Sequence, residues 1–201
     1  MNKKKNILIG THNQGKFKEL SYLIPKNIKK VSPIKLKIES PVETGRSFLA
    51  NSKLKANYFF RKSKIPSLSD DSGLSVECLN GKPGIYSARW SKKYGSFDKA
   101  MKKIIMMVKN RNKNKNKKNT KAKFICCLTL KQSQKKSISA TGVIHGNISS
   151  KILGKNGFGY DSIFIPKNYK ITFGQMSKNK KILLDHRFIA YKKLKKKINI
   201  F

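Results

Sequence analysis

Asn6-Ile7-Leu8-Ile9-Gly10-Thr11-His12-Asn13-Gln14-Gly15-Lys16-Phe17 passes from an apolar run through a polar turn into the first residues of a helical pattern. The stretch 6–11 reads as a buried strand, 12–15 as a turn and 16–23 as an amphipathic helix. Further along, the same alternation of types recurs. Residues 34–38 alternate apolar and lysine, which predicts a half-exposed strand. Residues 47–61 run without glycine or proline and predict a helix, as do 97–108 and the segment from His186 into Leu194. Residues 68–79 read as strand, acidic turn, strand, closed by the turn formers Asn80-Gly81-Lys82-Pro83-Gly84. Residues 124–130 and 138–144 predict two long strands. Strands and helices interleave around one core, so the class is α/β with a mixed sheet.

The 201 residues suit one domain spanning 1–201. Residues 110–121, almost all lysine and asparagine, have little to bury and predict a solvated surface loop. No apolar run is long enough to span a bilayer, and Met1-Asn2-Lys3-Lys4-Lys5 leads into an apolar core too short for a signal peptide. The cysteines, Cys78, Cys126 and Cys127, are odd in number and lack metal-ligand spacing. That pattern fits a reducing compartment, and the expectation is a cytoplasmic protein.

The formal charge is +38, but only five of the 47 basic residues are arginine. Lysine, asparagine and isoleucine share A+T-rich codons and are scattered throughout, so codon bias accounts for the charge without a dedicated partner. Nonspecific contact with nucleic acid at low salt still follows from Coulomb attraction. A nucleic-acid module would also need aromatic side chains interleaved with the basic ones, which the chain lacks. Against this background the nine carboxylates are informative. Seven of them, Glu19, Glu43, Asp70, Asp71, Glu77, Asp161 and Asp185, lie in or beside recognisable motifs.

The first motif is Gly10 to Phe17. It matches a phosphate-binding loop except at Phe17, where a hydroxyl for magnesium should stand. The physical logic survives: a strand-to-helix turn aims backbone N–H groups and Lys16 at an anion. An ordinary turn with a solvated lysine would look the same. The second is Ser69-Asp70-Asp71-Ser72-Gly73-Leu74, whose carboxylates could hold a hard cation or orient an attacking water. Either aspartate could be the base. The third, Gly154-Lys155-Asn156-Gly157-Phe158-Gly159-Tyr160-Asp161, brackets aromatic rings with glycines and suits a flat ligand. The fourth is Lys181 with Asp185-His186-Arg187.

With Glu19, Glu43-Thr44-Gly45 and the stretch from Leu79 to Arg89, these motifs resemble the inosine/xanthosine triphosphate pyrophosphatases over nearly the whole chain. Two positions depart from that pattern: His12 replaces a small residue, and Asp185 replaces a serine before His-Arg. The Phe-Gly-Tyr-Asp and His-Arg segments argue against the Maf-like pyrophosphatases. The resemblance implies an elongated two-lobed α/β fold, its central mixed sheet flanked by helices and its active-site cleft between the lobes, usually in a homodimer. It implies cleavage of deaminated purine nucleoside triphosphates (ITP, dITP, XTP) to the monophosphate and pyrophosphate. It further implies Asp71 as catalytic base, and Mg²⁺ held by Asp71 with Glu43 and Glu39. The substrate would be bound by Thr11, His12, Asn13, Gln14, Gly15, Lys16, Ser72, Phe158, Gly159, Tyr160, Asp161, Lys181, His186 and Arg187.

Overall fold

The computed structural model describes residues 5–198; the lysine-rich start, Met1 to Lys4, lies outside them. The chain alternates β1 (Asn6–Ile9), α1 (Gln14–Leu23), β2 (Lys29–Val31), α2 (Phe48–Ser63), β3 (Ser67–Val76), α3 (Ser87–Tyr94), α4 (Phe97–Arg111), β4 (Lys121–Lys131), β5 (Ser137–Ile148), β6 (Phe164–Pro166), α5 (Lys178–Ile182) and α6 (His186–Lys196). The strands form one sheet in the order β2-β1-β3-β4-β5-β6. β1 is parallel to β2 and to β3, whereas β5 and β6 are antiparallel, so the sheet is mixed as expected.

Two compact units divide the chain. One comprises residues up to Asp71, Cys126–Gly142 and Arg187 onward; the other comprises Ser72–Ile125 and Val143–His186. The first unit buries Ile7, Ile9, Leu20, Leu68, Cys126, Leu128 and Leu194 in its core. The second buries Leu74, Ile104, Phe124, Ile163, Phe164 and Phe173. Each fully buried side chain of this kind stabilises its unit by about 1.5–3 kcal/mol relative to exposure.

Local chemistry explains the helix starts. Asn13, Ser47, Ser96 and Ser177 each accept a hydrogen bond from a first-turn N–H, which fixes where α1, α2, α4 and α5 begin. No helix among the described residues is long and apolar enough to cross a membrane.

Three expectations are corrected. Residues 34–38 are not a strand: Ile34–Leu36 form a 3₁₀ turn, with Ile34 and Leu36 exposed. Alternation without a partner strand does not make a strand. Residues 68–79 hold no acidic turn in mid-strand, because Asp70 and Asp71 lie within the continuous β3. Partners for both carboxylates let the chain stay extended there, as the next section describes. Residues 110–121 are not all solvated loop. α4 continues to Arg111, and Asn112 is buried. Its amide donates to Val108 O (2.7 Å) and Asn119 O (3.1 Å), and its Oδ1 accepts from Asn119 N (2.7 Å).

Candidate active site

Just past the end of β1, the Gly10 N–H donates to Leu68 O of β3 at 2.8 Å. The approach is close enough that a Cβ on Gly10 would sit 2.1 Å from Ser69 Oγ and 2.5 Å from the Phe59 ring. The chain then turns through Thr11, His12 and Asn13. Thr11 Oγ1 accepts from Asn13 N (3.2 Å), and Asn13 Oδ1 accepts from Lys16 N (2.9 Å), so the expected turn is a helix cap. His12 Nδ1 lies 2.6 Å from Ser40 Oγ. His12, Asn13 and Gln14 are exposed, whereas Gly15 and Lys16 are half-buried. A groove of about 380 Å³ opens beside Thr11 and Gln14, with Lys30 and Lys35 on its rim.

Neighbouring residues of a strand point to opposite faces, and β3 uses this to separate its two carboxylates. Asp70 is fully buried. Its Oδ2 lies 3.2 Å from Lys16 Nζ and 3.5 Å from Arg187 Nε. The Arg187 guanidinium also grips Glu19 Oε2 at 2.6 Å. Burial alone would raise the Asp70 pKa, but Lys16, Arg187 and Lys55 overcome it and hold the carboxyl well below the usual range. Asp70 is therefore a fixed anion, unsuited to take a proton.

Asp71 faces a different set. Its Oδ2 accepts from Asn51 Nδ2 at 3.0 Å, and Oδ1 lies 3.8 Å from Lys55 Nζ. Lys55 Nζ is also 2.6 Å from Glu43 Oε1. Burial raises the Asp71 pKa, opposed by Lys55 and Lys16, assisted by Glu43, and the net shift is upward. Burial pulls Lys55 down, but Asp71, Asp70 and Glu43 more than reverse it. Asp71 thus has greater proton affinity than an ordinary aspartate, as a general base requires.

Asn51 and Lys55 are the residues that sequence reasoning missed. They stand one turn apart on α2 and are buried beside Ser52, Ala56 and Phe59. Asn51 Oδ1 also accepts from Gly45 N at 2.8 Å, which fastens the Glu43-Thr44-Gly45 loop to the helix. Among 42 lysines, one more carried no signal. The i, i+4 spacing of two polar residues on an otherwise apolar helix face was the clue.

Two carboxylates of the expected metal set, Asp71 and Glu43, converge on one ammonium. As hard oxygen donors meeting at one cationic position they fit Mg²⁺, which binds through one or two carboxylates and takes waters and phosphate oxygens for the rest. Glu39 is exposed and makes no hydrogen bond or ion pair among the described residues. No cluster of three or more metal-ligating side chains occurs there.

The second unit gathers the remaining candidates. Gly157 has φ +77, and a Cβ there would meet Asp161 Oδ2 at 2.2 Å. The same oxygen accepts from Phe158 N (2.9 Å) and lies 3.2 Å from Lys181 Nζ. Lys181 also pairs with Asp185 Oδ2 at 3.2 Å, and its ammonium lies 5.0 Å from the Phe158 ring centre. Phe158 and Gly159 are partly exposed, so a flat ligand can reach them. Tyr160 corrects the expectation of two ligand-facing rings. It lies in the core, 2% exposed, with its hydroxyl donating to Ser87 O (2.8 Å) and its ring edge-on to Phe97. His186 is buried and stacked on Phe124 at 4.8 Å. Ser72 is half-buried at the start of this unit. A separate groove of about 830 Å³, lined by residues including Glu77, Lys121 and His145, contains none of the candidate residues.

Known proteins resemble the chain along nearly its whole length. The chain is 36% identical to the dITP/XTP pyrophosphatase of Zymomonas mobilis, over 94% of this chain and 89% of that one. It is 36% identical to the dITP/XTP pyrophosphatase of Haemophilus influenzae, over 97% and 100%. The solved HAM1 protein of Coxiella burnetii superposes with a TM-score of 0.84 at 27% identity, covering 96% of this chain and 97% of that one. The Ham1 protein of Staphylococcus aureus gives 0.80 at 31%, with the same coverage. With the Ham1 family's own sequence model matching residues 7–197, the chain belongs to the Ham1 family.

Proposed function

We propose that this chain hydrolyses deaminated purine nucleoside triphosphates, namely ITP, dITP and XTP, to the nucleoside monophosphate and pyrophosphate. The observation that carries the reading is the division of labour on β3. Asp70 is locked as an anion by Lys16 and Arg187, while Asp71, with raised proton affinity, stands beside Asn51 and Lys55. The names of the relatives point to the same substrates.

In this reading, residues 1–201 act as one catalytic domain. Thr11, His12, Asn13, Gln14, Gly15 and Lys16 hold the phosphate chain with backbone N–H groups and one ammonium. Asp71 accepts a proton from a water whose oxygen bonds to the α-phosphorus. The bond from that phosphorus to the bridging oxygen breaks, and the oxygen leaves with pyrophosphate. Lys16 and Lys55 lie where negative charge develops. Asp71 and Glu43, with Glu39 as a further ligand, would hold Mg²⁺, which neutralises phosphate charge when bound. Phe158 and Gly159 provide the face for the purine, with Tyr160 anchoring them from the core. Ser72, Asp161, Lys181, His186 and Arg187 complete the nucleotide contacts. A donor aimed at position 6 donates to an oxo group but meets another donor in adenine's amino group, a mismatch worth on the order of 10⁴ in discrimination. We further propose a cytoplasmic homodimer, consistent with three cysteines that form no disulfide.

The test is pyrophosphate release with Mg²⁺ from ITP, dITP, XTP, ATP and GTP. Rapid release from the first three alone supports the reading. No release from any of them by a folded sample overturns it.

A further inference from the structure

Residues 38–45 lead from the 3₁₀ turn toward α2 without regular structure, and they carry Glu39 and Glu43. Individual contacts hold this segment where a strand would have a ladder. Ile38 N donates to Pro33 O at 3.0 Å. Glu43 Oε1 lies 2.6 Å from Lys55 Nζ, and Gly45 N donates to Asn51 Oδ1 at 2.8 Å. Between these points Ser40 Oγ shares a hydrogen bond with His12 Nδ1 at 2.6 Å, 28 positions back in the turn before α1. The His12 ring has a seat of its own, 6.1 Å from the buried Phe59 ring of α2 with the planes 33° apart. With Ser40 held, no more than two consecutive residues lie between these fixed points. Without it the gap widens to 39–42, and Glu39 lies inside it.

We propose that His12 is a positioning residue: through Ser40 its side chain ties the segment carrying Glu39 and Glu43 to the phosphate-binding turn. The carboxylates assigned to Mg²⁺ are thereby held at a fixed spacing from the groups assigned to the phosphate chain. This rests on the proposed function's assignment of Glu39 and Glu43 to the metal. It goes beyond that reading, which gives the His12 ring no task of its own. The family pattern has a small residue at this position, with no ring to reach Ser40. Lys55 is the contact that a cation at Glu43 would compete with, which leaves Ile38, Ser40 and Gly45 to hold the segment. Each backbone residue released there must be ordered again when cation and phosphate bind together.

Two of the chain's four glutamates lie in this segment, so a glutamate-specific protease reads its opening directly. The full chain is compared as wild type, H12A, S40A, the double variant and H12N, which places a polar atom where Nδ1 stands. Without metal or nucleotide, cleavage after Glu39 and Glu43 should be about three- to tenfold faster in H12A and S40A, the contribution of one hydrogen bond. The double variant should match the singles, and H12N should return toward wild type. The Mg²⁺ concentration for half-maximal ITP hydrolysis should rise by a similar factor in the same variants. Cleavage after the buried Glu19 should stay unchanged; a parallel rise there would show general loosening and overturn the proposal. Unchanged cleavage after Glu39 and Glu43 in H12A and S40A also overturns it, as does faster cleavage with an unchanged Mg²⁺ requirement. In all these cases the proposed function stands. If the wild type hydrolyses no triphosphate, the proposed function fails, and the cleavage rates alone decide the tether.

Discussion

Asp70 and Asp71 are adjacent on β3 yet take different direct partners, Lys16 and Arg187 for Asp70 and Asn51 and Lys55 for Asp71. The pleat of the strand makes this possible, because a one-residue step reverses the side-chain direction. Two carboxylates on the same face would have repelled each other, and the proton affinity of one would have risen strongly.

Replacing Asp71 by Asn should therefore abolish catalysis and spare the fold. Asn retains an oxygen for the Asn51 amide, and Lys55 retains Glu43. Turnover of ITP should fall by about 10²–10⁴-fold, the usual contribution of a positioned base. Pyrophosphate release and a thermal melt, run together, check both halves.

Replacing Asp70 by Asn should do the reverse and act mainly on stability. The change leaves the half-buried Lys16 and the buried Arg187 short of a counter-charge, a loss of about 3–5 kcal/mol. Because the folded state depresses the Asp70 pKa, its contribution is present above the unfolded value near 3.9. It is lost as pH falls below that value, because the unfolded carboxyl then takes up a proton that the folded one refuses. Wild-type stability should thus drop steeply below about pH 4, and Asp70→Asn should flatten that slope. Urea titrations from pH 3 to 7 would show it; parallel slopes would refute the assignment.

Asn51→Leu should move the acid limb of the pH–rate profile upward. The Asn51 amide favours the Asp71 carboxylate, so removing it raises the pKa further, and Asp71 becomes an effective base only at higher pH. The same change strands Gly45 N–H, with a stability loss of about 1–3 kcal/mol. A limb that stays in place would mean that Asp71 is not the group being titrated.

Gly10→Ala should damage the phosphate loop from beneath. The new methyl group would lie 2.1 Å from Ser69 Oγ and 2.5 Å from the buried Phe59 ring, so β1 and β3 must part. Overpacking of this kind costs about 1–3 kcal/mol. KM for the triphosphate should rise more than kcat falls, because Thr11 to Lys16 hang from the displaced residue. Steady-state kinetics on ITP would separate the two.

Much of this architecture is legible in local sequence. The β1–turn–α1 unit is apolar strand, Asn cap and periodic helix, each a local signal, and the structure returns it almost unchanged. The long strands β4 and β5 and the helix α4 were likewise visible in periodicity. What escaped was decided by partners remote in sequence. The alternation at 34–38 promised a strand that no neighbour accepts. The acidic pair promised a turn, but Asn51, Lys55, Lys16 and Arg187, distant in sequence, allow both aspartates to stay in the strand. The site divides in the same way. Carboxylates were conspicuous against a lysine background, whereas Lys55 was hidden by that same background. Arg187, expected among the substrate-binding residues, also holds Glu19 and Asp70, the first of them 168 positions away and invisible to local pattern.

The Asn112 clip has a practical corollary. Its amide bonds Val108 and Asn119 at once, while Asn119 in turn reaches Glu77 Oε1 at 3.0 Å. The residues between are left as an appendage whose two ends are already joined. Chain length there is decoupled from the sheet, since lengthening a closed loop adds only about 0.6 kcal/mol per doubling. Residues 113–118 are therefore the natural graft point of the molecule, where an epitope or a fluorescent reporter could be spliced in without the rest of the fold registering the change.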